Sequence, residues 1–220
     1  MKNYFNVLSN SPLFAGIAET DLSSLLNCLS AKSAAYAKDE YILSADNIIK
    51  DVGIVLSGSV NIIKEDFWGN RAILAKIHPG EMFGEAFAFS NVQKLPVSVV
   101  TCERSEILFV DFRKITNTCS SACVFHTALI ANILKILAYK NIMLTQKLEH
   151  IVKRTTREKL LSYLSEQAIK HGTNSFYIPF NRQELADYLS VDRSAMSNEL
   201  CKLRDERIIE FSKNHFILSK

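Results

Sequence analysis

Apolar residues recur at helical spacing in LFAGIAETDLSSLLNCLS, where Leu13, Phe14, Ile17, Leu22, Leu25, Leu26 and Leu29 fall together; the spacing predicts short helices to about residue 30. From Ala34 the period changes to two. Short alternating runs follow at roughly 34–37, 41–43, 53–57, 60–65, 71–77, 97–102 and 106–110. Turn signals separate them, among them Ala45-Asp46-Asn47, Ser57-Gly58-Ser59, Trp68-Gly69-Asn70 and Pro79-Gly80. Many short strands with frequent turns predict a small antiparallel barrel or double-sheet jelly roll. No parallel βαβ unit fits. The stretch GEAFAFS, 84–90, interrupts the strands with a short aromatic helical segment, and Gly84-Glu85 stand where a barrel would offer backbone N–H groups to a ligand.

Helical periodicity returns near Ser120. Ile130, Leu134, Leu137, Asn141, Leu144, Leu148 and Ile151 are spaced alternately by four and three, which is a heptad seam with Leu134, Asn141 and Leu148 at a and the other four at d. An Asn at an a position fixes register and favours two parallel strands, so the seam predicts a dimerising helix. The alternative is packing on the barrel of the same chain, and Ile133, Ile136 and Met143 widen the apolar stripe enough to serve both. A further helix, TREKLLSYLSEQAIK, stops at His171-Gly172 and is followed by the strand-like FYIPF.

The segment from 181 to 211 reads as two short helices with a tight break. Asn181 can cap the first, and Glu184 completes a reciprocal capping box. Leu185, Ala186 and Leu189 face inward, Ser190-Val191 forms the break, and Asp192 caps the second helix. Ala195, Met196, Leu200 and Leu203 form its inner stripe, with Ala195 at the margin. Arg193, Ser194, Ser197 and Asn198, then Lys202, occupy the other face. Arg suits the guanine O6/N7 edge, Asn the adenine edge and Ser either kind of base. Strands at 208–211 and 215–218 then flank Ser212-Lys213-Asn214, a wing whose Lys213 and Asn214 can meet phosphates, as can Arg182 before the first helix.

Composition changes this picture little. The chain has 220 residues, 48% apolar, and a net charge of only +3. Residues 1–150 hold 14 basic and 14 acidic side chains, whereas 151–220 hold 12 and 9, so the whole excess lies beside the helix pair. The basic cluster Lys153, Arg154, Arg157 and Lys159 contributes to it. No uninterrupted apolar run approaches about 18 residues, and no leader pattern opens the chain, so the expectation is no membrane contact and a cytoplasmic home. Five scattered cysteines do not form a disulfide framework. Cys119, Cys123 and His126 share a helix face but lack further ligands, so no metal is expected. No nucleophile–base arrangement, phosphate loop or paired carboxylate appears, and catalysis is not expected.

The segments RQELADYLSVDRSAMSNEL and PGEMFGEAFAF, with the long helix between them, resemble the bacterial cyclic-AMP receptor/fumarate-nitrate regulator (Crp/Fnr) superfamily over roughly residues 12–218. The resemblance implies a double-stranded β-helix sensor, a dimerising helix and a winged helix–turn–helix. It also implies that the second helix of the reading head supplies an Arg, an acidic or polar residue and another Arg to the major groove; these fall on Arg193, Ser194 and Asn198. The last departs from the pattern. Cyclic-nucleotide binders of this type place Arg-Ser or Arg-Thr about ten residues after the Gly-Glu pair, and here Leu95-Pro96 stand there. Leu95 cannot neutralise a phosphate and Pro96 lacks an N–H. Cyclic AMP is therefore not the expected signal. A more apolar ligand suits Phe83, Gly84, Glu85, Ala86, Phe87, Phe89, Leu95 and Pro96, unless these aromatics simply fill the barrel. No cysteine precedes Cys28, so an iron–sulfur cluster is not expected, and neither is haem on His78 or His126.

The resulting expectation is an α+β chain with a sensor at 1–118, a dimerisation helix at 119–152 and a winged helix–turn–helix at 153–220. Its function is that of a homodimeric transcription regulator, an activator, that binds palindromic duplex DNA, answers to an unidentified small-molecule effector and contacts RNA polymerase. The alternative is a dimeric signalling protein whose winged domain contacts protein.

Overall fold

A computed structural model describes residues 4–49, 51–88, 90, 94–116 and 124–219. The chain forms two compact units, Met1–Asp66 with Leu74–Lys140, and Phe67–Ile73 with Asn141–Lys220.

The first unit opens with α1 (Phe5–Ser9), a 3-10 turn (Pro12–Phe14) and α2 (Glu19–Cys28). Eight strands follow: β1 (Lys32–Tyr36), β2 (Tyr41–Leu43), β3 (Asp51–Ser57), β4 (Val60–Glu65), β5 (Arg71–Ile77), β6 (Met82–Phe83), β7 (Ser98–Thr101) and β8 (Ser105–Asp111). They make two four-stranded sheets, ordered β1-β8-β3-β6 and β2-β7-β4-β5. The described pairings are antiparallel, running for example from Lys32↔Phe109 to Tyr36↔Ser105 and from Val60↔Thr101 to Ile63↔Ser98. This is the expected jelly roll. The two-residue β6 lies outside the sequence reading, because a run so short has no period to detect.

Two apolar clusters hold the unit together. Val55, Val60, Ile77, Phe83, Val99 and Ile107 fill the space inside the barrel. Leu13, Phe14, Leu22, Leu25, Leu26 and Leu29 join Val52, Ile54, Leu56, Leu108 and Val110, and Leu129 and Ile133 close that second cluster. Burial of each such side chain contributes roughly 1.5–3 kcal/mol. A third tie is polar: buried Asn132 donates through Nδ2 to the carbonyls of Leu13 and Ala15 at 2.9 and 2.8 Å, satisfying the end of the 3-10 turn.

After α3 (Glu85–Ala88) and α4 (Phe112–Thr116), α5 runs from Val124 to Ile151. From Phe125 to Ile151 it is long and apolar enough, by length and composition, to cross a membrane, its most apolar 18 residues having a mean hydropathy of 1.3. Asn132, Lys135 and Lys140 keep its uninterrupted apolar runs short, as the sequence reading found, and a helix that packs its apolar side on protein passes the same test of length and composition. The seam residues Ile130, Leu134, Leu144 and Leu148 are exposed, Leu134 to 62%. Leu137 instead leans on the sensor core with Ile136, and Ile151 is half-buried. Asn141 is exposed, so the buried Asn of this helix within the chain is Asn132.

The second unit contains α6 (Thr156–His171), β9 (Ser175–Tyr177), α7 (Arg182–Leu189), α8 (Arg193–Asp205), β10 (Ile209–Ser212) and β11 (His215–Leu218). Thr155 and Glu158 form a capping box at the start of α6, and Gly172, in the left-handed region, ends the helix. The strands form an antiparallel sheet ordered β10-β11-β9. Leu160, Tyr163, Leu164, Leu185, Leu189, Met196, Leu200, Leu203, Ile209 and Phe216 form its core.

Candidate nucleic-acid interface

α8 is built to present its polar face. Asp192 Oδ1 accepts from the Ala195 N–H at 2.7 Å and caps the helix. Met196, Leu200 and Leu203 bury the inner stripe, while Arg193, Ser194, Asn198 and Lys202 are exposed. Ala195 is exposed too: one residue before Met196, it is rotated about 100° off the stripe. The reciprocal bonds of Asn181 and Glu184, 3.0 and 2.9 Å, start α7 as its capping box requires. Between α7 and α8 Ser190 adopts φ 52°, and Val191 N–H donates to Ala186 O at 3.0 Å, making the break abrupt.

The predicted contact residues divide on inspection. Arg193, Ser194 and Asn198 share one exposed face, and among the described residues no side chain pairs with the Arg193 guanidinium. Ser197 is half-buried and donates its hydroxyl to Arg193 O at 2.9 Å, which leaves it only acceptor capacity for a base edge. Lys202 is exposed beside Glu199, 3.4 Å away. Arg182 is not a free phosphate contact: its guanidinium lies 4.8 Å from the Phe211 ring and 5.1 Å from Phe216, and burial pulls its pKa down. At the wing tip Lys213, with φ 53°, is exposed. Asn214 uses its amide to donate to Ile178 O at 3.1 Å, so it ties the wing to the chain after β9.

The basic cluster is also partly internal. Arg157 bonds Glu206, at 2.9 Å through Nη1, and Glu199 at 3.3 Å, bracing α6 against α8. The guanidinium holds the Glu206 carboxyl below the usual range. Lys159 donates to the carbonyls of Leu189 and Ser190 at 3.3 Å, satisfying the end of α7. Lys153 and Arg154 are exposed. The brace was not foreseen; it is a contact 42 and 49 residues apart that no spacing signals.

In the sensor unit the expected effector residues are more enclosed than predicted. Phe83 is fully buried in the barrel core, its ring so close to Gly53 that a Cβ there would fall 2.2 Å from Cζ. It therefore fills space instead of lining an open cavity. Gly84 turns the chain at φ 85°, Ala86 is exposed and Phe87 half-buried. Leu95 is buried; its N–H and C=O bond Asn47 O and Asp46 N–H, while Pro96 is exposed. Phe89 lies outside the described residues, as do Cys119 and Cys123. His126 Nε2 meets Lys114 O at 3.0 Å. Among the described residues no group of three His, Cys, Asp or Glu side chains could hold a metal.

The most consequential residue that sequence reasoning missed is Lys140. Its Nζ donates to Glu85 Oε1 at 2.7 Å and to Met82 O at 2.6 Å. A lone Lys inside the apolar run ILAYKNIML was the available signal, but nothing local names its partner.

Comparison with known proteins agrees with this architecture. Residues 34–122 match the cyclic nucleotide-binding domain family and residues 158–220 the Crp-like helix-turn-helix domain family. The nitrogen fixation regulation protein FixK of Azorhizobium caulinodans is 25% identical over 195 residues, covering 84% of this chain and 74% of that protein. FixK2 from Bradyrhizobium japonicum superposes with a TM-score of 0.64 at 20% identity, covering 86% of this chain and 93% of that one. The c-di-GMP responsive global regulator CLP of Xanthomonas campestris reaches a TM-score of 0.75 at 17% identity over 92% of this chain and all of that one. These structural likenesses show a shared fold. With its cyclic nucleotide-binding-type domain followed by a Crp-like reading head, the chain is homologous to FixK and to the Crp/Fnr-type DNA-binding transcription regulators.

Proposed function

We propose that the protein is a homodimer that reads a palindromic operator through α8 and activates transcription from it. The observation that carries this reading is the exposed row Arg193, Ser194 and Asn198 on a helix capped at its N-terminus and braced from behind. Arg193 suits a guanine edge and Asn198 an adenine edge. Along a helix rising 1.5 Å per residue, five residues span about 7.5 Å, roughly two base-pair steps. The half-site thus reads a guanine and an adenine about two steps apart, with Lys213, Lys153 and Arg154 available to phosphates.

The dimer rests on α5. Leu134, Leu144 and Leu148 are more than half exposed at heptad spacing, an arrangement that burial against a second copy of the same helix satisfies. Activation and contact with RNA polymerase follow the family resemblance, and the place of action is the cytoplasm, where the operator is. No enzymatic step belongs to this reading. The sensor answers to something other than a cyclic nucleotide, because buried Leu95 leaves a cyclic phosphate without a cation at that position.

Selection of bound duplexes from a randomised library, at two salt concentrations, tests the reading. The expected result is an enriched inverted repeat with half-site centres about one helical turn apart and affinity that falls steeply with salt. Binding that selects no sequence would sink it, and a protein partner for the wing would then be sought.

A further inference from the structure

Glu85 follows the tight Gly84 turn between β6 and α3. Its side chain is 5% exposed. Lys140 of α5 reaches it within the same compact unit, pairing Nζ with Oε1 at 2.7 Å while also donating to Met82 O at 2.6 Å. The other carboxylate oxygen, Oε2, is buried and has no hydrogen-bond donor among the described residues. The turn requires glycine: a side chain on Gly84 would meet Ile49 Cδ1 at 2.6 Å, and φ there is 85°.

Packing alone does not call for such a pair. Removing the carboxylate, and in part the ammonium, whose side chain is 27% exposed, from water carries a desolvation penalty, and an apolar pair of similar volume commonly holds two elements together as well or better. What the ion pair adds is direction. One ammonium ties both the backbone before the turn and the carboxylate after it to a single position on α5. The turn it holds, from Met82 to Glu85, lies inside the stretch that matches a cyclic nucleotide-binding domain, where the family name leads one to expect a bound molecule, whereas Lys140 itself lies beyond that stretch.

We propose that Lys140 is the sensor's internal ligand. The clasp of Lys140 on Glu85 and Met82 holds the α3 turn in the arrangement that DNA binding requires, so the chain binds its operator with no small molecule added. An effector then adjusts a clasp already closed. The proposal rests on the DNA-binding reading above.

The test uses the full chain, freed of small molecules by unfolding and refolding, and the duplexes that the wild type selects. Wild type is expected to bind them unaided. Lys140→Arg keeps the charge and is expected to keep most of the affinity. Lys140→Met strands a buried carboxylate and can unfold the domain, so the deciding variant is Glu85→Leu with Lys140→Met, which removes both charges. A melting temperature near that of wild type with at least a tenfold loss of DNA affinity supports a positioning role that packing does not explain. Equal affinity in that double variant overturns the proposal. If the double variant does not fold, Lys140→Gln with Glu85→Gln takes its place, and the same two outcomes apply. Refolded wild type that binds only after cell extract is added also overturns it, while leaving the DNA-binding reading intact. Wild type that selects no duplex with or without extract overturns both.

Discussion

Arg193 and Asn198 carry different information although both are exposed on α8. Arg193→Ala is expected to weaken operator binding by about 1–3 kcal/mol and to relax the preference at one base pair. Asn198→Arg should move the preferred base at its own position from adenine towards guanine, which repeating the library selection would reveal. Lys147 makes a different kind of residue-scale statement. It is buried, donates to Ile73 O and lies 4.3 Å from the centre of the Tyr188 ring, and burial pushes its pKa down to about 8 from 10.5. Between those values the unfolded chain holds more protons than the folded one, so stability rises with pH from about 8 to 10 and the burden of the buried charge is fully present below 8. The rise should be on the order of 1 kcal/mol after allowing for the bond and ring that favour the cation. Tyr188, pushed up to about 12 by burial, works in the opposite direction only above pH 10. Urea midpoints at pH 7.5 and 9.5 should therefore rise for wild type and stay flatter for Lys147→Met.

Two elements dominate the functional reading, and each fails in its own way. For α5, Leu134→Ala with Leu144→Ala removes exposed side chains, so the isolated chain should keep its melting behaviour while sedimentation shows more monomer and tight operator binding is lost. Leu137 is a poorer probe, because it also packs on the sensor core. For α8, Asp192→Ala removes the cap on Ala195 N–H and is expected to cost about 0.5–2 kcal/mol of stability. Unchanged urea stability in that variant would show that the cap bond is not made in solution. These elements were legible beforehand for a physical reason: caps, breaks and heptads are local, and Asn181, Asp192 and the leucine seam each announce themselves within a turn or two. The wing was legible for the same reason, down to its tip at Lys213. The partners of Arg182, Asn214 and Phe83 were not legible because such contacts are not local; Phe211, Ile178 and Gly53 stand at least 29 residues away from them.

At the scale of the molecule, the two units have separate cores and separate chemistry. The second carries the basic excess, and its charge is partly consumed by Arg157 and Lys159 in holding α6, α7 and α8 together. The number of phosphate contacts should accordingly be smaller than the count of basic residues suggests. A plot of log affinity against log salt should have a slope that drops by about 0.9 when Lys213→Ala removes one phosphate contact from each chain's half-site, twice that for the dimer. Arg157→Ala should instead lower thermal stability, because Glu199 and Glu206 lose their shared partner.

What the sequence by itself determined was the order of parts: a strand-rich sensor, a long helix with an apolar seam, and a winged reading head with Arg193 and Asn198 outward. Period, caps and turns are short-range properties, and they settle which elements form and which face of each is apolar. The tertiary structure decided which charges remain for a partner. It spends Arg157 on a brace and Arg182 on two phenyl rings, and it brings Lys140 to Glu85 from 55 residues away. A buried charge must find an opposite charge or a dipole wherever the fold places one, and only the folded chain shows where that is.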